Sequence, residues 1–264
     1  MPTFLSNLSG AGVALKFSSL STSLSIAYPA RLSSLAKPFG WFGFNNNLTD
    51  DGSTSHTATG VGTFSYDSNT KKTGTHSLRL SNTSGAAVSA YVRVPGFALQ
   101  SSNFTLMMWL RPNSNTGANQ IATPLAVTTS ASIGTGQDAA DIQIYGSGFG
   151  ISPNPGLIGY IGYTTNGGFT AASSGAVQVS PNTWYHFAIT NTGAAGTGYL
   201  NGSLHGTPIT NASGGLYTNV TDLIIGIGCN NTNRPFDGFV DDVRVYKRAL
   251  SATEIQTIYN ETNL

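Results

Sequence analysis

FDGFVDDVRVYKRALSATEIQTIYN, residues 236–260, joins a strand of two-residue period to a helix whose start is specified by its own side chains. Val243 and Val245 alternate with Arg244 and Tyr246, as the two faces of a half-buried strand require. Leu250 then precedes Ser251, whose hydroxyl can accept from the free amides of a helix start. Glu254, three residues on, can bond back to the Ser251 amide and close a capping box. Leu250 and Ile255 occupy the two positions of a hydrophobic staple. Ile255, Ile258 and Tyr259 give the short helix an apolar face that has to dock on something.

Upstream, from Trp41, the chain reads as short strands divided by turn residues. Strands are expected over 77–80, 90–94, 104–111, 125–128, 141–145, 157–163, 184–190, 198–200, 204–206 and 223–227. Within 104–111 (FTLMMWLR), Phe104, Leu106, Met108 and Leu110 share one face and Trp109 takes the other. Asn201-Gly202 signals a two-residue hairpin turn, whose positive φ angles those two residues tolerate. Many short strands with helix confined to the end predict an antiparallel two-sheet sandwich.

The 264 residues suit one large β domain plus an extension. Charged residues make up only 9% and the formal net charge is +1, so there is no electrostatic basis for binding nucleic acid. The 32 glycines, with abundant Ser, Thr and Asn, describe a polar but uncharged surface of the kind found on extracellular and virion proteins. A single cysteine, Cys229, rules out an intrachain disulfide and reads as a small buried residue. No apolar run approaches the length of a membrane span. The opening MPTFLSNLSGAGVALKF has no basic residue before Lys16 and no recognisable secretory signal. Residues 1–38 contain no Asp or Glu and alternate at Val13, Leu15, Phe17 and again at Leu24, Ile26, Tyr28. Too short to bury those groups alone, they form an extension that packs on the domain at 39–264 or on another chain.

The blocks LTDDG (48–52), GTHSLRL (74–80), FTLMMWLRP (104–112), WYHFA (184–188), YLNG (199–202) and the terminal stretch occur in a fixed order. Together they resemble the landmarks of the laminin G-like and pentraxin-like concanavalin A superfamily. The resemblance implies an all-β fold: a two-sheet antiparallel concanavalin A-like jelly-roll sandwich with one short C-terminal helix and an N-terminal extension. Residues 113–180 depart from the pattern with long loops rich in Gly, Ser and Asn.

The superfamily includes glucanases, which place acidic groups alternately along one strand to supply an acid and a nucleophile or base. The two glutamates here, Glu254 and Glu261, lie in or beyond the terminal helix. Asp138 and Asp141 are the carboxylates of the middle of the domain, and their odd separation predicts opposite strand faces. The histidines, His56, His76, His186 and His205, lack a nucleophile-elbow context, and His186 reads as a packing residue. No enzymatic activity is expected.

Many relatives hold Ca²⁺ at a sandwich edge through carboxylate and backbone oxygens. Asp51 and Asp241, from the pairs at 50–51 and 241–242, are the candidate ligands. Strand parity turns one member of the second pair inward, and Asp241 is favoured, with hydrogen bonding in place of metal as the alternative. A sugar asks for an aromatic face and planar amides. Tyr163, Asn166, Asn231, Asn233 and Arg234, in YIGYTTNGGF (160–169) and NNTNRPFD (230–237), are the candidates. Turn preference accounts for the same residues without a ligand. The expected function is non-catalytic recognition or adhesion: the sandwich binds a glycan or surface protein, and residues 1–38 join it to other chains of a larger assembly such as a virus or phage particle. The expected location is a virion or extracellular surface. The alternatives are a capsid or cement subunit that reads no sugar, and a glucanase-like glycoside hydrolase.

Overall fold

The computed structural model describes residues 35–83, 90–99, 103–117, 120–129, 138–149, 156–162, 169–171, 173–174, 177–193, 195–210, 220–228 and 234–263. The chain divides into Met1–Ala36 and Lys37–Leu264. The alternation expected before residue 35, and Cys229, lie outside the described residues.

In chain order the strands begin with β1 (Gly40–Phe42), β2 (Thr59–Gly62), β3 (Phe64–Asp67), β4 (Ser77–Leu80), β5 (Ala90–Pro95) and β6 (Asn103–Pro112). They continue with β7 (Ile121–Thr128), β8 (Asp138–Tyr145), β9 (Gly156–Gly162), β10 (Phe169–Ala171), β11 (Ser173–Ser174) and β12 (Val177–Gln178). The last are β13 (Tyr185–Thr192), β14 (Ala195–Leu200), β15 (Ser203–Thr210), β16 (Asp222–Ile225) and β17 (Gly238–Tyr246), followed by helix α1 (Ala252–Thr262). The first sheet runs β11-β15-β14-β13-β6-β17-β4-β3, with β1 beside β17; the second runs β10-β9-β8-β7-β16-β5-β2, with β12 beside β9. Every one of these pairings is antiparallel. The sequence-derived strands thus appear with their ends moved by a few residues.

Between the sheets lies one continuous apolar core. Phe104, Leu106, Met108 and Leu110 of β6 join it, as do Val240, Val243 and Val245 of β17 and Leu125, Val127, Ile142 and Ile144 of the second sheet. Trp109 points the other way, as its parity requires. Its Nε1 donates to Thr262 Oγ1 at 2.9 Å, and its ring stacks on Tyr259 at 5.5 Å. An 11-residue helix is too short to persist alone. Burial of Ile255 and Ile258 against the outer face of the first sheet, at about 1.5–3 kcal/mol each, is what holds it.

The helix start is built as its sequence specifies. Ser251 is the N-cap, Glu254 closes the capping box, and both staple residues, Leu250 and Ile255, are buried. The hairpin between β14 and β15 turns on Asn201 (φ +48°) and Gly202 (φ +78°). A Cβ on Gly202 would sit 2.8 Å from the Tyr259 ring, so glycine serves both the turn and the helix contact. Asn201 Oδ1 also accepts from the His186 amide at 3.0 Å, fastening the turn to β13.

The parity expectation for Asp241 and Asp242 fails. A bulge in β17 shifts its register against β6 between Asp241 and Arg244, and Asp242 takes φ +48°. With an extra residue between the inward-facing Val240 and Val243, both aspartates stay out of the inter-sheet core while remaining buried.

Candidate functional site on the outer face of the second sheet

On β8 a second bulge overturns another parity expectation. Val127 pairs with Ala140, but Thr128 pairs with Asp138, so Ala139 is the extra residue. Ala139 and Ala140 both belong to the inter-sheet core, and the acids flanking them emerge on the same outer face. Phase explains the preference: with Ile142 and Ile144 inward, a regular strand would drive the Asp138 carboxylate into hydrocarbon. Two small alanines take that space instead.

Asp138 and Asp141 thereby come into side-chain hydrogen-bonding contact, and both are fully buried. Burial pushes the Asp141 carboxyl well above its ordinary range, and the charge of Asp138 pushes it further. A hydrogen bond from Gln143 Nε2 to Asp141 Oδ2 and the positive charge of Arg234 pull the other way. Gln143 lies two residues beyond Asp141, on the same strand face.

A third irregularity, in β7 between Ala122 and Leu125, leaves Thr123 on the outer side with its hydroxyl buried. The chain beyond β16 is tied to this spot: Gly226 N donates to Pro124 O, Thr123 N to Arg234 O, and Phe236 N to Gly226 O. These bonds set Gly228 against the acids. The point a Cβ on Gly228 would occupy is 2.9 Å from Asp138 Oδ2 and 3.1 Å from Thr123 Oγ1, so only glycine lets the backbone approach so closely. Thr123 Oγ1, Asp141 Oδ1 and Gln143 Oε1 are buried oxygens without a hydrogen-bond partner. The site gathers side-chain oxygens of Thr123, Asp138, Asp141 and Gln143 against Gly228.

Of the sequence-derived ligand residues, Arg234 is half-buried and placed by its backbone bond to Thr123. Tyr163, Asn166, Asn231 and Asn233 lie outside the described residues. Sequence reasoning missed Thr123 and Gln143, and it set Asp138 and Asp141 on opposite faces where the bulge brings them together. The available signal was the cost of an inward Asp138 beside two alanines that could yield.

The candidate metal ligands sit elsewhere. Asp241 accepts from Lys72 N at 2.7 Å, Thr73 N at 2.9 Å and Thr73 Oγ1 at 3.2 Å. Burial pushes its carboxyl up to about 7 while the Thr73 and Lys72 amides oppose the shift. Asp51 is exposed, and its backbone amide donates to Trp41 O at 2.7 Å. Its buried neighbour Asp50 accepts from the amides of Trp41, Gly52 and His56, and pairs with His56 Nδ1 at 2.6 Å. Burial alone would raise the Asp50 carboxyl, but these bonds outweigh it and hold the group below its ordinary value. Asp50 and His56 line an open cleft of about 370 Å³ between Leu48 and Ala58. Among the described residues, no group of three or more His, Cys, Asp or Glu side chains is placed to hold a metal. Nor is any helix among them long and apolar enough to cross a membrane.

A family model described as the concanavalin A-like lectin/glucanases superfamily matches residues 84–256. The chain belongs to that superfamily. Among solved structures, this lectin/glucanase sandwich resembles domain 4 of an extracellular GH43 arabinanase from Geobacillus stearothermophilus, in complex with arabinotriose. That match has a TM-score of 0.61 at 21% identity and covers 85% of this chain and 98% of the other. It also resembles the botulinum neurotoxin type G receptor-binding domain (TM-score 0.60, 16% identity, 85% of this chain and 51% of the other). A third likeness is the binding domain of botulinum neurotoxin DC in complex with SialylT (TM-score 0.63, 14% identity, 86% and 52%). The chain spans about half the length of the two toxin domains. At these identities the likeness is one of fold. No curated protein matches the sequence.

Proposed function

We propose that this chain is a non-catalytic glycan-binding module. The observation that carries the reading is the burial of its adjacent acids. Asp138, Asp141 and Asp241 are 0% exposed and Asp242 2%. Glycoside cleavage instead needs two carboxyl groups about 5 Å apart, or more, flanking a substrate in an open cleft. Superfamily membership supports sugar recognition, and the arabinotriose bound to the arabinanase domain supports an arabino-oligosaccharide as a first probe. In sequence Arg234 adjoins Asn231 and Asn233, a mixture of planar donors and acceptors suited to hydroxyls.

Calorimetric titration with arabino-oligosaccharides and a glycan array test this. Saturable binding weakened at least fivefold by Arg234→Ala is expected, with no reducing ends released from a polysaccharide panel. Release of sugar would overturn the non-catalytic reading. A flat array would overturn the glycan reading in favour of an architectural subunit. The finer part, attachment to a virus or phage particle or another large assembly through residues 1–38, is supported by the apolar alternation of that segment alone. Weak single sites gain strength there by repetition. Deleting residues 1–38 should abolish co-sedimentation with the assembly; retention would overturn the anchoring role.

A further inference from the structure

We propose that Thr123, Asp138, Asp141 and Gln143 form a site for a hard divalent cation, Ca²⁺ above all, on the outer face of the second sheet. The inference stands apart from glycan binding and from the edge aspartates Asp51 and Asp241.

Three features of the site carry it. First, two carboxylates in contact cannot both hold full charge without a positive partner. Arg234 supplies one nearby charge to Asp141 but satisfies none of the three unpartnered oxygens of Thr123, Asp141 and Gln143. Second, those oxygens come from three different residues, each at most 2% exposed, so a tightly folded region leaves them without donors. Buried polar atoms are ordinarily paired, and leaving several unpaired in one place costs free energy. A proton shared by the two aspartates would satisfy one acceptor and leave the hydroxyl and amide oxygens as they were. A cation satisfies them all at once. Third, the atoms are mutual neighbours. Asp138 Oδ2 and Thr123 Oγ1 both lie about 3 Å from one point above Gly228, Asp138 touches Asp141, and Asp141 touches Gln143.

The donor set favours calcium. Carboxylate, amide and hydroxyl oxygens are hard ligands, and Ca²⁺ accepts six to eight of them in loose geometry. Four side chains and added waters or carbonyls reach that number, and among the described residues no thiolate or imidazole joins these oxygens to favour zinc. By contrast, the Asp241 carboxylate already accepts three hydrogen bonds from Lys72 and Thr73.

The test uses the whole chain, stripped with EDTA and dialysed free of chelator, then titrated with CaCl₂ and followed by calorimetry and by melting temperature. Wild type is expected to bind one Ca²⁺ and to gain about 5 °C in Tm when the ion is at a hundredfold excess over Kd. Asp138→Asn/Asp141→Asn should lose both the heat and the shift, whereas Asp51→Asn should keep both. Should the double variant not fold, Thr123→Val is read instead, with affinity at least tenfold weaker. No heat or shift in wild type up to 10 mM CaCl₂ would overturn the site, as would a shift retained by the double variant or unaltered affinity in Thr123→Val.

Discussion

The two acidic pairs, Asp241–Asp242 and Asp138–Asp141, sit beside bulges of opposite phase. In β17 the extra residue faces outward, so two consecutive aspartates stand between inward valines. In β8 the extra residue faces inward, so two aspartates three apart stand around consecutive inward alanines. The first pair meets donors. Asp242 Oδ1 accepts from Trp41 Nε1 at 2.7 Å and Arg244 Nε at 2.9 Å, while Asp241 accepts from Lys72 and Thr73; Asp242 Oδ2 is the oxygen of this pair left buried without a partner. In the second pair Asp141 Oδ2 accepts from Gln143 Nε2, but Asp141 Oδ1 stands with Thr123 Oγ1 and Gln143 Oε1 as buried oxygens without a partner. Carboxylate oxygens met by donors are structural, whereas several unpartnered oxygens of neighbouring side chains call for a cation.

The most severe break in that contrast is Asp242→Ala. The Arg244 side chain is only 5% exposed, so losing its carboxylate strands a buried guanidinium. A cost of about 3–5 kcal/mol is expected by urea unfolding. The counterpart change, Asp141→Asn measured in EDTA, should stay within about 1 kcal/mol of wild type, because burial and Asp138 already favour the neutral acid and an asparagine keeps an oxygen for Gln143 Nε2. Equal costs would erase the distinction between the pairs.

The fold was legible because strand period, the Asn-Gly turn and the capping box act locally and agree with one another. Trp109 and Ser251 carry out the roles their neighbours in sequence imply. The acid pairs were illegible for one reason: parity is a rule for regular strands, and a single extra residue inverts it. The cause of each bulge is tertiary. Ala139 is small enough to enter the core, and Asp242 tolerates the left-handed backbone that Val243 beside it would resist. Arg234 could be named from the residues around it in sequence, but its proximity to Asp141 depends on the backbone bonds that tie Gly226 and Arg234 to β7.

The donor-rich half has a pH signature next in size. His186 on β13 is fully buried beside Trp109 and Tyr259, at ring distances of 5.2 and 5.8 Å. Both of its ring nitrogens lack hydrogen-bond partners. Burial lowers its pKa from 6.5 to about 4, with Asp242 opposing the shift and Arg244 adding to it. The unfolded chain therefore takes up this proton below pH 6.5 and the folded chain only near pH 4. The contribution is fully present above pH 6.5 and is lost as pH falls through 4, a change of about 3 kcal/mol. Stability of His186→Phe should lack that part of the slope between pH 6.5 and 4. An unaltered slope would place the titration elsewhere.

Asp241→Ala comes third. The Lys72 and Thr73 amides both donate to one oxygen, Asp241 Oδ2, so truncation leaves two amides without their acceptor, at a cost of about 1–3 kcal/mol. Asp141→Asn keeps an oxygen for Gln143 Nε2 and should cost less than Asp241→Ala. Matching melting temperatures for Asp241→Ala and Asp141→Asn in EDTA would contradict this.

The smallest effect lies where acid and base meet at the surface. Arg248 makes two bonds to Glu254, Nη2 to Oε1 at 2.7 Å and Nη1 to Oε2 at 2.9 Å, and the Ser251 amide donates to Oε2 at 2.8 Å. The Arg248 bonds, opposed by partial burial and aided by Ser251, hold the Glu254 carboxyl down to about 2. Being depressed, the group contributes stability above its ordinary value of 4.5, and the contribution disappears as pH falls through 2. Arg248 is 39% exposed, so solvent screens the pair and Glu254→Gln should cost only about 0.5–1 kcal/mol at pH 7. Raising salt to 1 M should shrink the ionic part while leaving the Ser251 hydrogen bond, because screening acts on charge and not on capping geometry. A difference between wild type and Glu254→Gln that persists below pH 2 would mean that the glutamine disturbs the docking of Ile255 rather than the charge of the cap.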